Sequence, residues 1–124
     1  MSASQITDDW LWLGSWKDGD KYRHNEHWRV VSVANDNERP GEFHFPITDP
    51  GTAPEDAALL LAATEKVEEL LALTPRQHVL VHCQSGVNRS AAVVIGVLLR
   101  RGMSLTDAHN HVKAYRKRIN PIDR

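Results

Sequence analysis

Residues 78–102 constrain the fold more than any other part of the chain. His78-Val79-Leu80-Val81-His82 is a short, largely apolar run of strand type. Ser90-Ala91-Ala92-Val93-Val94-Ile95-Gly96-Val97-Leu98-Leu99-Arg100-Arg101 follows as an apolar helix, closed by Gly102. A buried strand feeding a buried helix through a short loop has to be covered by other elements, which points to layers of sheet and helix.

The joining loop, Cys83-Gln84-Ser85-Gly86-Val87-Asn88-Arg89, puts a nucleophile at one end and a permanent cation at the other. At a helix N-terminus the first backbone N–H groups have no intrahelical partners and sit at the positive end of the macrodipole. A tight loop containing Gly86 can therefore wrap Gln84, Ser85, Gly86, Val87 and Asn88 around an oxyanion such as phosphate. Cys83 lies at the floor of that cradle, where the same field favours thiolate over thiol. Arg89 closes the far side with a planar fork that suits two oxygens at once.

The remaining segments alternate. Trp12-Leu13-Gly14-Ser15 reads as a first strand, residues 17–24 as a short polar helix, and Trp28-Arg29-Val30-Val31-Ser32-Val33-Ala34 as a second strand. Turn-rich residues 35–41 precede an extended segment at 43–47. A helix is predicted from about Pro54 to Leu73, with Leu60, Ala63, Val67, Leu70 and Leu71 on one face, a Thr52…Glu55 capping box, and Pro75 beyond its end. The last helix runs from about Leu105 to Ile119, with Ser104 as N-cap and Asp107 at the reach-back position. Together they predict an α/β fold, a mostly parallel central sheet flanked by helices with the cradle at a strand's carboxyl end, in which residues 1–124 form a single domain.

His82-Cys83-x-x-Gly86-x-x-Arg89-Ser90 resembles the signature of the dual-specificity branch of the cysteine-dependent protein tyrosine phosphatase superfamily. The likeness extends to Trp12–Ser15, Trp28–Ala34 and Phe45-Pro46-Ile47-Thr48-Asp49, the last being similar to the family's acid-delivering segment. This resemblance implies that Cys83 attacks phosphorus to give a phosphocysteine, later hydrolysed by water, with no cofactor or metal. It implies Asp49 as general acid and then base, since Asp49-Pro50-Gly51 is a loop signal after a strand-like run. By the same analogy Ser90 donates a hydrogen bond to the departing thiolate, and His82 orders the surroundings of Cys83 without being the base. The implied substrates are phosphotyrosine and phosphoserine or phosphothreonine in proteins. Alternatives are a phosphatase of RNA 5′ ends or small molecules with the same chemistry, and a phosphate-binding module that does not turn over.

Each assignment has a plainer competitor. Cys83 could be a core cysteine, but that leaves Gly86, Arg89 and Ser90 at their spacing without a reason. Asp49 could serve only the turn before Pro50; Asp56, its nearest rival as acid, falls inside a helix. Ser90 could be a helix N-cap. The basic stretch Lys113-Ala114-Tyr115-Arg116-Lys117-Arg118 reads as a solvated helix end, against the alternative that Lys117 or Arg118 attracts a second phosphate. The four tryptophans read as core and edge packing, and His109 and His111, two apart on a helix, do not suggest a zinc site.

Two departures from the family pattern stand out. The chain stops at Asn120-Pro121-Ile122-Asp123-Arg124, a minimal version, and it lacks a tyrosine-bearing recognition loop, which implies a shallow pocket. Composition agrees with one compact domain: 124 residues, 41% of them hydrophobic. The lone cysteine excludes an internal disulfide and suits a reducing, cytoplasmic setting. A net charge of −1 speaks against nonspecific nucleic-acid binding, and no apolar stretch approaches a membrane span. The expected partners are phosphorylated proteins, with no obligate nucleic acid and no membrane, for a chain acting as a monomer.

Overall fold

The computed structural model of the protein describes residues 3–34, 43–48, 53–84 and 88–116. In chain order the elements are β1 (Ser4–Thr7), β2 (Leu11–Gly14), α1 (Trp16–Tyr22), β3 (Trp28–Ala34), β4 (Phe43–Ile47), α2 (Asp56–Leu71), β5 (His78–His82), α3 (Arg89–Arg100) and α4 (Leu105–Tyr115). The sheet order is β1-β2-β5-β3-β4, so the last strand in sequence is the middle strand in space. β2, β5, β3 and β4 run parallel and β1 joins antiparallel at the edge. The mostly parallel sheet expected from the sequence is thus observed.

Strand alternation sorts the side chains of β5 onto two faces. Val79, Val81 and Cys83 join one apolar cluster with Leu11, Leu13, Val31, Val33 and residues of α2, α3 and α4. Leu80 and His82 point the other way, where α1 packs against β2, β3 and β5. α3 explains its own near-total burial: it touches β2, β3 and β5 below and lies between α2 and α4. It ends as the sequence predicts, with Gly102 at φ +102, Gly102 N–H donating to Leu99 O (3.0 Å) and Met103 N–H to Leu98 O (3.2 Å). That left-handed closure is the reason a glycine stands there.

Three expectations shift. β1 was not anticipated; only Ile6 in it is buried, and the rest is a polar edge that pairs through its backbone. α2 begins at Asp56 rather than Pro54, and the residue that reaches back is Asp56, whose Oδ2 accepts from Ala53 N–H at 2.8 Å. Thr52, the proposed partner of Glu55, lies outside the described residues. α4 ends at Tyr115 rather than near Ile119, because Arg116 leaves helical geometry (φ −144, ψ 91); its N-cap is as expected, Ser104 Oγ accepting from Asp107 N–H at 3.1 Å.

Candidate active site

Parallel strands bring their carboxyl ends to one rim, and β5 delivers Cys83 to the centre of it. Cys83 is buried, and its Sγ lies 3.2 Å from Ser90 Oγ. Ser90 is not the helix cap: Asn88 takes that position, the helix starts at Arg89, and Ser90 sits one residue further in. The first turn of α3 therefore folds the hydroxyl back over the sulfur across the intervening loop.

Arg89, also buried, donates from Nη1 to Ile47 O at 3.1 Å. The carboxyl end of β4 thereby anchors the guanidinium beside the loop. Gln84 is exposed, but its carbonyl accepts from Trp16 N–H at 3.3 Å and ties the loop to the start of α1. Asn88 is half-buried. Ser85, Gly86, Val87 and Asp49 lie outside the described residues, as do Lys117 and Arg118.

His82 is fully buried. Its Nδ1 is 3.3 Å from Cys83 O, and since a carbonyl only accepts, the proton belongs on Nδ1. Burial pushes the His82 pKa down, the charge of Arg23 pushes the same way, and the Cys83 carbonyl, Asp20 and Asp18 oppose them. A neutral ring that holds a backbone carbonyl fits an ordering role. Above it is Gly19, where a Cβ would lie 2.6 Å from His82 Nε2. Only a glycine lets α1 come this close.

Two buried charges went unrecognised in the sequence. Asp18 in α1 accepts from Ser15 N–H (2.9 Å) and Ser15 Oγ–H (3.3 Å). Arg116, read there as part of a solvated helix end, is 3% exposed. Its Nη1 donates to Leu13 O (3.2 Å) and Ser4 Oγ (3.1 Å). Leu13 precedes Gly14, which pairs with His82, so this guanidinium stands beside the same rim. Burial lowers the Arg116 pKa, and the charges of Asp18 and Cys83 act against that. The signal was present: Ala108, Val112 and Arg116 recur every four residues, and all three are buried.

Asp56, the rival candidate for the acid, is spent as an acceptor. Its Oδ1 takes Thr48 N–H at 3.0 Å, its Oδ2 takes Ala53 N–H, and Thr48 Oγ1 makes a further hydrogen bond to Oδ2. Burial alone would raise its pKa, but these bonds and the charge of Arg89 outweigh it and hold the carboxyl below the usual aspartate value. A group so held is a poor proton donor near neutral pH.

The family model described as "Dual specificity phosphatase, catalytic domain" matches residues 12–124. A putative tyrosine phosphatase, 123R of Invertebrate iridescent virus 6, is 30% identical over 124 residues, covering 98% of this chain and 84% of the viral one. Dual specificity protein phosphatase 9 of Homo sapiens is 34% identical over 94 residues, covering 73% of this chain and 24% of the human one. Among solved structures, a single-residue variant of human DUSP28 superposes with a TM-score of 0.78 at 27% identity, covering 98% of this chain and 86% of that one.

Proposed function

Because the chain belongs to the dual specificity phosphatase family and is a phosphatase, we propose that it hydrolyses phosphomonoesters of tyrosine and of serine or threonine in proteins through a phosphocysteine, without a metal. The observation that carries this reading is the meeting of Cys83 Sγ with Ser90 Oγ at 3.2 Å where β5 passes into α3, beside the buried Arg89.

The sequence of bonds follows from those groups. The Cys83 thiolate attacks phosphorus as the ester P–O bond breaks, and the leaving oxygen takes a proton from Asp49. Arg89 and the N–H groups of residues 84–89 hold the equatorial oxygens, whose charge is spread in the transition state. Water then attacks the phosphocysteine while its proton returns to the Asp49 carboxylate. The S–P bond breaks, and the thiolate leaves with a hydrogen bond from Ser90 Oγ–H. His82, held neutral, keeps the Cys83 carbonyl in place and transfers no proton.

The lone cysteine has to stay reduced for this chemistry, so we place the protein in the cytoplasm, acting as a monomer on phosphorylated proteins. Among the described residues no helix is long and apolar enough to cross a membrane. The test is phosphate release from an aryl phosphate with a chelator present, for wild type, Cys83→Ser and Asp49→Asn across pH. Loss of activity in the first variant, and loss of the basic pH limb in the second, supports the mechanism. Phosphopeptide binding without turnover by the wild type would make the domain a binding module, and preference for triphosphorylated RNA would change the substrate class.

A further inference from the structure

One peptide unit at the carboxyl end of β4 is held from both sides. Its carbonyl, Ile47 O, accepts from Arg89 Nη1 at 3.1 Å, and its amide, Thr48 N–H, donates to Asp56 Oδ1 at 3.0 Å. A cation faces the oxygen and an anion faces the hydrogen of the same dipole, so each bond polarises the peptide in the sense that strengthens the other. The two charged side chains that flank the peptide are out of water, Arg89 and Asp56 each 2% exposed; Ile47 is fully buried and Thr48 half-buried.

A carboxylate in the first turn of a helix is favourable on its own account, and Asp56 serves that role through Ala53 N–H. That use needs only one oxygen. The other oxygen reaches across to β4, to the peptide that Arg89 holds, and this second arm has no bearing on capping α2.

We propose that Asp56 is a positioning residue for Arg89, acting through the Ile47–Thr48 peptide. Resting on the phosphatase reading of the cradle, it fixes the guanidinium in its phosphate-binding pose before substrate arrives, so that less ordering is left to be done on binding. Arginine is a long side chain with much rotamer freedom, and a buried anchor at one nitrogen fixes the plane in which its fork lies.

The test is a double-mutant cycle read by equilibrium binding of inorganic tungstate, a phosphate mimic, to the Cys83→Ser protein by calorimetry. No turnover is needed. Asp56→Asn, which keeps the shape and removes the charge, is expected to weaken tungstate by about tenfold, and to add less than about twofold once Arg89→Lys is present. Thr48→Val, which removes only the hydroxyl and leaves the amide, is expected to change binding by less than about twofold. Penalties of Asp56→Asn and Arg89→Lys that multiply, or tungstate binding indifferent to Asp56→Asn but weakened by Arg89→Lys, would overturn the proposal and leave the cradle reading intact. Binding indifferent to Arg89→Lys would remove the cradle reading itself, and this proposal with it. If Asp56→Asn does not fold, Asp56→Glu replaces it in the same cycle, and the displaced carboxylate is expected to show the same non-additivity.

Discussion

His78 and His82 bound the same strand, point to the same face of the sheet and take opposite proton arrangements. His78 is stacked between Trp10 (centroids 4.3 Å apart) and Trp28 (4.5 Å), and Trp28 stacks in turn on Tyr22 (3.7 Å). Trp12 Nε1–H donates to His78 Nδ1 at 3.0 Å, which leaves the His78 proton on Nε2. His82 instead carries its proton on Nδ1, toward the Cys83 carbonyl, and is closed in by Gly19. At one end of β5 the surroundings are stacked rings that bury apolar area. At the other they are Cys83, Arg89, Ser90, Asp18 and Arg116, polar groups that cost free energy to bury and are retained only with partners in place. Under the proposed mechanism, stability and chemistry are drawn from opposite ends of one strand.

The largest break between the ends is expected from Cys83→Ser. Phosphate release should fall on the order of 10⁴-fold or more, with the thermal midpoint little changed, since one sulfur becomes one oxygen at a site built for reaction. Calorimetric melts beside an aryl phosphate assay check both halves. Trp28→Ala is the reverse case: a loss of about 2–3 kcal/mol in urea unfolding, less than for a fully buried tryptophan because Trp28 is only partly buried, with kcat of the folded fraction kept. A large fall in kcat there would erase the separation.

Gly19→Ala strikes the chemical end sterically. Its Cβ would press on the His82 ring, so a stability cost of about 1–3 kcal/mol should be accompanied by reduced kcat. Urea unfolding and steady-state kinetics on one preparation decide it.

Acidity sharpens the comparison further. Burial lowers the pKa of both histidines from 6.5, for His78 with help from His27, so the unfolded chain binds protons that the folded one refuses. The stability each contributes is complete above pH 6.5 and is lost as the pH falls from there toward the lower folded value. Because His82 is fully buried and His78 only partly, His82→Gln should flatten the dependence of the melting midpoint on pH more than His78→Gln does. The smallest effect concerns Arg76, whose guanidinium lies 5.9 Å from the Trp10 ring centroid. Arg76→Ala should cost about 0.5 kcal/mol in the same melts and leave kcat unchanged.

What was legible in the sequence follows from how local each cause is. β3 and β5 have the limits read from their apolar runs, because burial on both faces writes itself into consecutive residues; β4 matches the extended segment at 43–47 although only Ile47 in it is buried. α3 and its glycine closure were readable for the same reason. β1 was not, because Ser4-Gln5-Ile6-Thr7 has a single buried side chain and joins the sheet through its backbone. At the site, the loop from Cys83 to Arg89 is a local motif and was visible. The tie from Asp56 through Thr48 and Ile47 to Arg89 joins three distant segments through a peptide group, which no residue type announces. Arg116 lies between these cases: its four-residue spacing from Val112 is visible, but a charged side chain at a helix end reads as solvated.

The central claim, that the chemical end of β5 works by covalent catalysis, is tested most directly by trapping. Wild-type protein would be mixed with excess aryl phosphate, quenched in acid within one turnover and digested for mass spectrometry. The account predicts one phosphoryl group on the peptide that contains Cys83, absent from Cys83→Ser and retained longer in Asp49→Asn. Turnover in wild type with no phosphoryl adduct, or an adduct on another residue, would contradict it.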